Sequence, residues 1–255
     1  MYTEMVRFAD RVDAGRQLAH MVELLLGPSA TTENKSATSG EPTPTVIVLG
    51  LPRGGVPVAA EVAARLHAPL HVLVARKLGA PAQPELAVGA ISEAGARVVD
   101  HDLAQRCGVT DTELANVERR ERARLDTNSH AFGVDRRPPL VGRTVVIVDD
   151  GIATGATARA ACRAARTLGA ARVVLAVPAA PTDWRTRLAE EADDLVCVIE
   201  QDVPAVGCWY ADFAQVSDRD VVALLDTAAG RATAARTSAD RPPADRPTDG
   251  LPSSA

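Results

Sequence analysis

The chain has little lysine, few aromatic residues and no paired cysteines. Its four cysteines show neither a C-x-x-C pair nor the spacing of metal ligands, so we interpret them as reduced thiols of a cytoplasmic protein. Residues 21–26 form only a short apolar stretch, which contains Glu23 and cannot cross a bilayer. The first residues also lack the basic start and apolar run of a secretory signal. We therefore expect a soluble cytoplasmic protein with no membrane partner.

The overall charge is acidic, with a formal net charge of −5 over 255 residues. Such a chain repels a nucleic-acid backbone, so we expect no nucleic-acid partner. The length is sufficient for one sizeable α/β core or two small ones. Of the 28 basic residues, only Lys35 and Lys77 are lysines. Lys77 follows Arg76 at a predicted strand end, which indicates a compact ammonium group at that place, with chance as the competing explanation.

Residues 144–157 carry the strongest pattern in the sequence. The branched apolar run Val145 to Val148 predicts a strand buried on both faces, and Asp149 and Asp150 follow it directly. A loop of small residues then leads into an Ala-rich helix at residues 158–168. The N-terminus of a helix attracts an anion through its unpaired N–H groups and its dipole. Because the two acids lie at the carboxyl end of a strand, where parallel sheets bind ligands, this stretch predicts a site for a phosphorylated compound.

The groups in this loop suit a sugar phosphate. Gly155 permits close approach of the backbone, and the hydroxyls of Thr154 and Thr157 add hydrogen-bond donors. Asp149 and Asp150 can accept hydrogen bonds from sugar hydroxyls or hold a hydrated Mg²⁺. The competing interpretation is an ordinary strand-to-helix turn with an Asp at the helix cap. The predicted phosphate contacts are Ala153, Thr154, Gly155, Ala156 and Thr157.

An earlier segment repeats the strand–loop–helix order. Residues 45–49 predict a buried strand, and a helix is expected to begin near Pro57. Between them lie Arg53, Gly54 and Gly55, whose backbone can approach a diphosphate while the arginine supplies a forked cation. By itself such a loop often marks only a turn.

The order of four apolar residues, Asp149, Asp150 and then Thr-Gly-Ala-Thr at residues 154–157 resembles the phosphoribosyl-pyrophosphate (PRPP) motif of type I phosphoribosyltransferases. Ala153 stands where many members carry a second threonine. The resemblance covers roughly residues 45–215. It implies an α/β fold with an open, mainly parallel twisted sheet and helices on both faces, a small hood and a flexible flap. It also implies PRPP as substrate and Mg²⁺ as cofactor.

The resemblance assigns catalytic roles to Asp149, Asp150 and Arg53. Gly54 and Gly55 match the family's diphosphate loop. Arg76 and Lys77 follow a predicted strand at residues 70–75, and we expect them to reach the same diphosphate. A solvated strand end is the competing interpretation of these two side chains.

The window Val206 to Phe213 holds three of the seven aromatic residues. These rings either pack the C-terminal segment onto the core or form a hood over an acceptor, for which Trp209 and Tyr210 are the candidates. The segment is similar to one in purine phosphoribosyltransferases, where the matching Asp212 would join Asp149 and Asp150 as metal ligands. Pro204 lies where purine enzymes often carry a stacking aromatic residue, so a purine acceptor is in doubt.

The remaining segments frame these motifs. A capping box at Thr110 predicts a charged helix whose arginines and acids form surface ion pairs, and residues 128–140 predict a loop. A hairpin is expected within the flap. We expect one domain over residues 1–227, with a mobile loop at 29–44, a flap at 79–100, a hood at 200–216 and a disordered tail at 228–255.

Three functions remain open. The first is transfer of the phosphoribosyl group from PRPP to a nitrogen acceptor, such as a nucleobase, with release of diphosphate. The second is a non-catalytic module that senses PRPP or a nucleotide. The third is a phosphorolytic or hydrolytic enzyme on the same scaffold. A homodimer is the default assembly for a soluble protein of this kind.

Overall fold

The computed structural model of the protein describes residues 7–27, 33–35 and 42–239. The strands, in chain order, are β1 (Glu33–Lys35), β2 (Pro42–Pro44), β3 (Val46–Gly50), β4 (Leu70–Val72), β5 (Ala75–Ala80), β6 (Gln83–Ser92), β7 (Arg97–Val99), β8 (Thr144–Val148), β9 (Arg172–Ala180) and β10 (Asp194–Glu200). The helices are α1 (Arg11–Leu26), α2 (Gly55–Arg65), α3 (His101–Arg106), α4 (Asp111–Ala131), α5 (Ala156–Thr167), α6 (Trp184–Leu188) and α7 (Asp218–Ala239). None of the helices in these ranges is long and apolar enough to span a membrane.

Five strands form a parallel sheet in the order β10-β9-β8-β3-β4. The predicted parallel sheet is therefore confirmed. In the central pair, Gly50 at the end of β3 lies opposite Val148 at the end of β8. The loops after these two strands consequently begin side by side at the carboxyl edge of the sheet.

Helices cover both faces of this sheet, as predicted. Val146 of β8 packs in one core cluster with Val22 of α1, and residues of α2 lie in the same cluster. Ile147, the next residue of the strand, packs in a second cluster with Ala161 of α5. Successive side chains of a strand point to opposite faces, so a continuous apolar run suits a strand that is covered on both.

A second, antiparallel sheet has the order β5-β6-β7. The predicted hairpin is present, with Ala90 of β6 opposite Val98 of β7. Both residues pack against Ala160 of α5. Residues 79–100, predicted as a flap, are thus built largely into a packed sheet, while the turn at residues 81–82 and the first two residues of β6 are exposed. Closure of this turn over a substrate stays a prediction.

The predicted strand at residues 70–75 is divided in the structure. The parallel strand β4 ends with Val72, and the antiparallel strand β5 begins with Ala75. Arg76 and Lys77 therefore lie within β5 and not at the end of a parallel strand.

A buried ion pair holds the chain where it leaves the parallel sheet. Arg137 Nη1 donates to the carbonyl oxygen of Val72 at 2.9 Å and also pairs with the carboxylate of Glu93. The other oxygen of Glu93 accepts from the N–H of Val74 at 2.8 Å. These side chains satisfy backbone groups of Val72 and Val74 that face away from β3 at the edge of the sheet.

The C-terminal helix α7 extends into the segment predicted as a disordered tail. Ser217 Oγ accepts from the N–H of Asp220 at 3.2 Å, and the Asp220 carboxylate accepts from the N–H of Ser217 at 2.8 Å, so the two residues cap the start of α7. The helix then continues to Ala239 because this Ala-rich stretch contains no proline. Residues 228–239 of the predicted disordered tail are therefore helical, and residues 240–255 lie outside the described part of the chain.

Two predicted loops contain regular structure. Within residues 29–44, β1 and β2 pair as an antiparallel ribbon, and the remainder of that segment lies outside the described residues. The loop predicted at residues 128–140 begins later, because α4 extends to Ala131. The capping box at Thr110 is present as predicted.

Candidate functional site

Asp149 and Asp150 lie directly after β8 at the carboxyl edge of the parallel sheet. The backbone N–H of Asp150 donates to Asp149 Oδ1 at 2.9 Å. Burial raises the pKa of both carboxyl groups above the usual value, and the charge of Asp150 raises the pKa of Asp149 further. The pair is therefore a concentrated acceptor site, and a nearby cation stabilises its ionised form.

Arg11, the first residue of α1, supplies such a cation, and sequence analysis missed it. Its Nε and Nη2 atoms both lie 2.9 Å from Asp150 Oδ2, and its charge lowers the pKa of Asp150, against the effect of burial. Its Nη1 donates to the carbonyl oxygen of Ala214 at 2.7 Å. The guanidinium carbon lies 3.8 Å from the centre of the Phe213 ring. Arg11 thus joins the N-terminal helix, the acid pair and the hood.

The glycine pair after β3 lies against the same acids. A Cβ atom on Gly54 would lie 1.9 Å from Asp150 Oδ2, and one on Gly55 would lie 2.6 Å from the carbonyl oxygen of Val148. Both positions therefore require glycine for this close approach. The Pro52–Arg53 peptide bond is cis. The structure brings the predicted diphosphate loop and the acid pair together.

Backbone donors in this loop are partly available. The N–H of Gly55 donates to the carbonyl oxygen of Leu51 at 3.0 Å, whereas the N–H groups of Arg53 and Gly54 have no acceptor among the described residues. The Arg53 side chain is exposed, with Nε 3.5 Å from Asp218 Oδ1. Solvent weakens an exposed ion pair of this kind, so the guanidinium can turn towards a bound anion.

The loop into α5 provides a second group of donors. Gly155 is the N-cap of this 12-residue helix, with a left-handed φ of +80° and no side-chain cap. The N–H groups of residues 153–155 and of Thr157 have no acceptor in the part of the chain that the structure describes. The N–H of Ala156 makes one long hydrogen bond, 3.5 Å, to Thr154 Oγ1. Because neither acid caps the helix, its N-terminus is open to an anion.

Arg76 and Lys77 are placed differently from the prediction. Arg76 Nε and Nη2 donate to Glu121 Oε2 at 3.1 and 2.9 Å, and Glu121 also accepts from Arg124 Nη1 at 2.8 Å. The buried Glu121 on α4 therefore binds Arg76, which was expected to reach the diphosphate. Lys77 is half-buried within β5, opposite Ala90.

The two hood aromatics proposed as acceptor contacts are core residues. Trp209 and Tyr210 are 1% and 3% exposed, and both pack with Phe8 and Ala179. The Tyr210 hydroxyl donates to the backbone carbonyl of Asp150 at 2.5 Å. These two rings therefore pack the C-terminal segment onto the core, because Phe8 of the N-terminal segment and Ala179 of the sheet cover them. Tyr210 therefore contributes to the site indirectly, because its hydroxyl holds the backbone of Asp150.

Asp212 does not join the acid pair as a third metal ligand. Its carboxylate accepts from the N–H of Ala214 at 2.9 Å, within its own exposed turn. No three His, Cys, Asp or Glu side chains of the described residues come together in a metal-binding arrangement. Of the three acids predicted as metal ligands, the structure brings Asp149 and Asp150 into contact.

Comparison with known proteins agrees with this geometry. A model of the phosphoribosyl transferase domain matches residues 30–211. The chain belongs to the phosphoribosyl transferase domain family. The resemblance stated from the sequence is thereby confirmed.

Relatives of this phosphoribosyl transferase domain include two Mycobacterium tuberculosis proteins, from strains CDC 1551 / Oshkosh and H37Rv, each named "Putative phosphoribosyl transferase". Each is 50% identical over 226 residues, which cover 88% of this chain and 47% of the relative. The chain thus spans about half the length of these relatives. The crystal structure of the protein TT1426 from Thermus thermophilus is similar with a TM-score of 0.65 and 39% identity, over 86% of this chain and 98% of that chain.

The family match includes both loops and the acid pair, but Arg11 precedes it. Sequence reasoning missed Arg11 because a lone arginine at a helix start carries no sign of its distant partner. The role of Glu121 was predicted only in part. The alternating acids and arginines of α4 predicted ion pairs, but they did not predict the contact between Glu121 and Arg76 of β5.

Proposed function

We propose that this phosphoribosyl transferase domain binds PRPP with Mg²⁺, transfers the phosphoribosyl group to a nitrogen acceptor and releases diphosphate. The observation that carries the proposal is the contact between the two halves of the site: a Cβ atom on Gly54 would lie 1.9 Å from Asp150 Oδ2. One loop with open N–H groups therefore touches the acid pair, and the other follows it along the chain. PRPP has the matching parts, a phosphate and a diphosphate joined by a sugar with two hydroxyls.

The 5-phosphate would occupy the N-terminus of α5. The open N–H groups of residues 153–155 and of Thr157 are suited to its oxygens, and the Thr154 and Thr157 hydroxyls add donors. The ribose would lie over the acids. No side chain of the described residues donates to Asp149 Oδ2 or to Asp150 Oδ1, so each can accept a hydrogen bond from one hydroxyl.

The diphosphate would lie beside Arg53 and Gly54, whose N–H groups are open. When the bond from C1 to the diphosphate oxygen breaks, its electron pair leaves with the diphosphate, and donors already in place there stabilise the added negative charge. The carboxylates of Asp149 and Asp150 favour the positive charge that develops on the sugar. The lone pair of the acceptor nitrogen then forms the new bond to C1.

The residues present fit Mg²⁺ only together with the substrate. Asp149 and Asp150 each have one carboxylate oxygen that no side chain of the described residues binds, and no third acid joins them in the described chain. Mg²⁺ is commonly held by one or two carboxylates with phosphate oxygens and water, which this pair allows. When bound, the ion supplies positive charge to the departing diphosphate.

The alternative is a non-catalytic sensor of PRPP or a nucleotide. The observation that favours it is the burial of Trp209 and Tyr210, which makes both rings unavailable to an acceptor base. The two functions share the PRPP site and differ in whether an acceptor is used.

Measurement of diphosphate release separates these functions. The protein is incubated with PRPP, Mg²⁺ and each member of a panel of nucleobases and other nitrogen compounds. The proposal predicts release that depends on at least one acceptor. PRPP binding without release under every condition would assign the sensor. Release without a nitrogen acceptor, in water or with inorganic phosphate, would assign a hydrolytic or phosphorolytic enzyme.

A further inference from the structure

Arg11 contacts the acid pair through a single oxygen atom of Asp150. Two of its nitrogens, Nε and Nη2, lie 2.9 Å from one atom, Asp150 Oδ2. The third, Nη1, is held 2.7 Å from the carbonyl oxygen of Ala214. The side chains of Arg11 and Asp150 are only 11% and 16% exposed. The guanidinium is therefore fixed at both ends, and it fixes one oxygen of Asp150.

This arrangement determines which oxygen of Asp150 remains available. The two contacts with Arg11 fix the orientation of the carboxylate, because turning its plane would move the bound oxygen away from Nε and Nη2. Gly54 packs on the same oxygen as Arg11, because its Cβ position lies 1.9 Å from Oδ2. No side chain of the described residues donates to Asp150 Oδ1. One oxygen is thus committed to the protein and the other is presented to a ligand.

We propose that Arg11 is a positioning residue of the phosphoribosyl site, which acts through Asp150 by holding Oδ2 so that Oδ1 receives a ribose hydroxyl. This inference rests on the proposed function. It assigns a role to a residue outside the family match, which begins at residue 30. It also gives α1 an indirect part in substrate binding, through Asp150.

The geometry requires arginine rather than lysine. A planar guanidinium can donate from two nitrogens to one carboxylate oxygen and from the third to a carbonyl in another segment. It also stacks on a ring, and here its carbon lies 3.8 Å from the centre of Phe213. A lysine ammonium is a single compact donor group, so it cannot hold Asp150 and Ala214 in the same way. Arg11→Lys should therefore restore only part of the function.

The test compares a ligand that contains the sugar with one that lacks it. Dissociation constants for PRPP and for inorganic diphosphate, both with Mg²⁺, are measured by calorimetry for the intact protein, Arg11→Met and Arg11→Lys. Loss of hydrogen bonds to a charged group predicts that Arg11→Met weakens PRPP binding about tenfold or more and changes diphosphate binding by less than about twofold. Arg11→Lys should lie between the intact protein and Arg11→Met for PRPP.

Arg16→Met is the matched control, since it removes a guanidinium from the same helix. Arg16 is 71% exposed and lies 3.4 Å from Glu61, and both ligands should bind to this variant as to the intact protein. Thermal melts establish whether each variant is folded. If Arg11→Met does not fold, the comparison of the two ligands is made with Arg11→Lys. Equal weakening of both ligands, or unchanged PRPP binding in a folded Arg11 variant, would overturn the inference. Failure of the intact protein to bind PRPP would instead remove the proposed function, and this inference with it.

Discussion

At the scale of single residues, the ionised forms of Asp149 and Asp150 oppose the stability of the fold. Burial raises the pKa of both groups, so holding either as a carboxylate near neutral pH costs folding free energy. Arg11 offsets this cost at Asp150 with two contacts of 2.9 Å. Asp149 receives only the N–H of Asp150 among the described residues. Groups with shifted pKa values of this kind are common where proteins bind or transform ligands.

Asp149→Asn should stabilise the protein at neutral pH while it weakens PRPP binding. A carboxyl group whose pKa is higher in the folded state contributes most to stability when protonated, and this contribution is lost as pH rises from the unfolded to the folded pKa. Removal of the charge should raise Tm near neutral pH by about 2–4 °C for each kcal/mol of relieved cost. The gain should shrink towards acidic pH, where the Asp149 carboxyl is itself protonated.

Thermal melts from about pH 4 to about pH 8 check this prediction. Asp126→Asn serves as the control because Asp126 lies exposed on α4, and its Tm should follow that of the intact protein. A lower Tm for Asp149→Asn than for the intact protein at neutral pH would contradict the account of Asp149.

At the scale of elements, the site consists of two strand–loop–helix units that end at one sheet edge. Gly50 lies opposite Val148 in the parallel ladder, so their following loops start together. The first loop then approaches the acids closely enough to exclude a side chain at Gly54. Contact between the two units therefore depends on the absence of a single methyl group.

Gly54→Ala should separate the two loops. Its Cβ would lie 1.9 Å from Asp150 Oδ2, so the loop must shift, with a loss of about 1–3 kcal/mol of stability from overpacking. PRPP affinity should fall by about tenfold or more, because the hydrogen bonds at the acid pair and the diphosphate loop no longer form together. Calorimetry with PRPP and Mg²⁺ measures the loss.

Gly230→Ala is the control for this change. A Cβ at Gly230, on α7, meets nothing within 4 Å, and alanine in a helix should be neutral or stabilising. PRPP affinity that survives in Gly54→Ala would show that the loops do not bind one ligand.

The sequence predicted these elements well because their signals are local. The apolar run of β8, the capping box at Thr110 and the small-residue loop into α5 each depend on a few neighbouring residues. Contacts between distant elements have no such signal. Arg11 and Asp150 are 139 residues apart, and the partner of Arg76 lies 45 residues away on a helix that the sequence described only as charged.

At the scale of the whole molecule, the site draws on more of the chain than the family motifs indicate. Arg11 precedes the matched residues, and the Ala214 carbonyl that holds it follows them. Tyr210 fixes the backbone of Asp150 from the hood. Aromatic residues in the hood were open to two interpretations in the sequence, since composition does not show whether a ring faces the core or a ligand. The structure decides this by packing Trp209 with Phe8 from the N-terminal segment.

The central claim is that both loops and the acid pair bind a single PRPP molecule. A crystal structure of the protein with PRPP and Mg²⁺ tests it most directly. The account predicts the 5-phosphate within about 3 Å of the N–H groups of residues 153–157, the ribose hydroxyls on Asp149 and Asp150, and the diphosphate at Arg53 and Gly54. PRPP bound elsewhere, or bound to one loop with the other left empty, would contradict it.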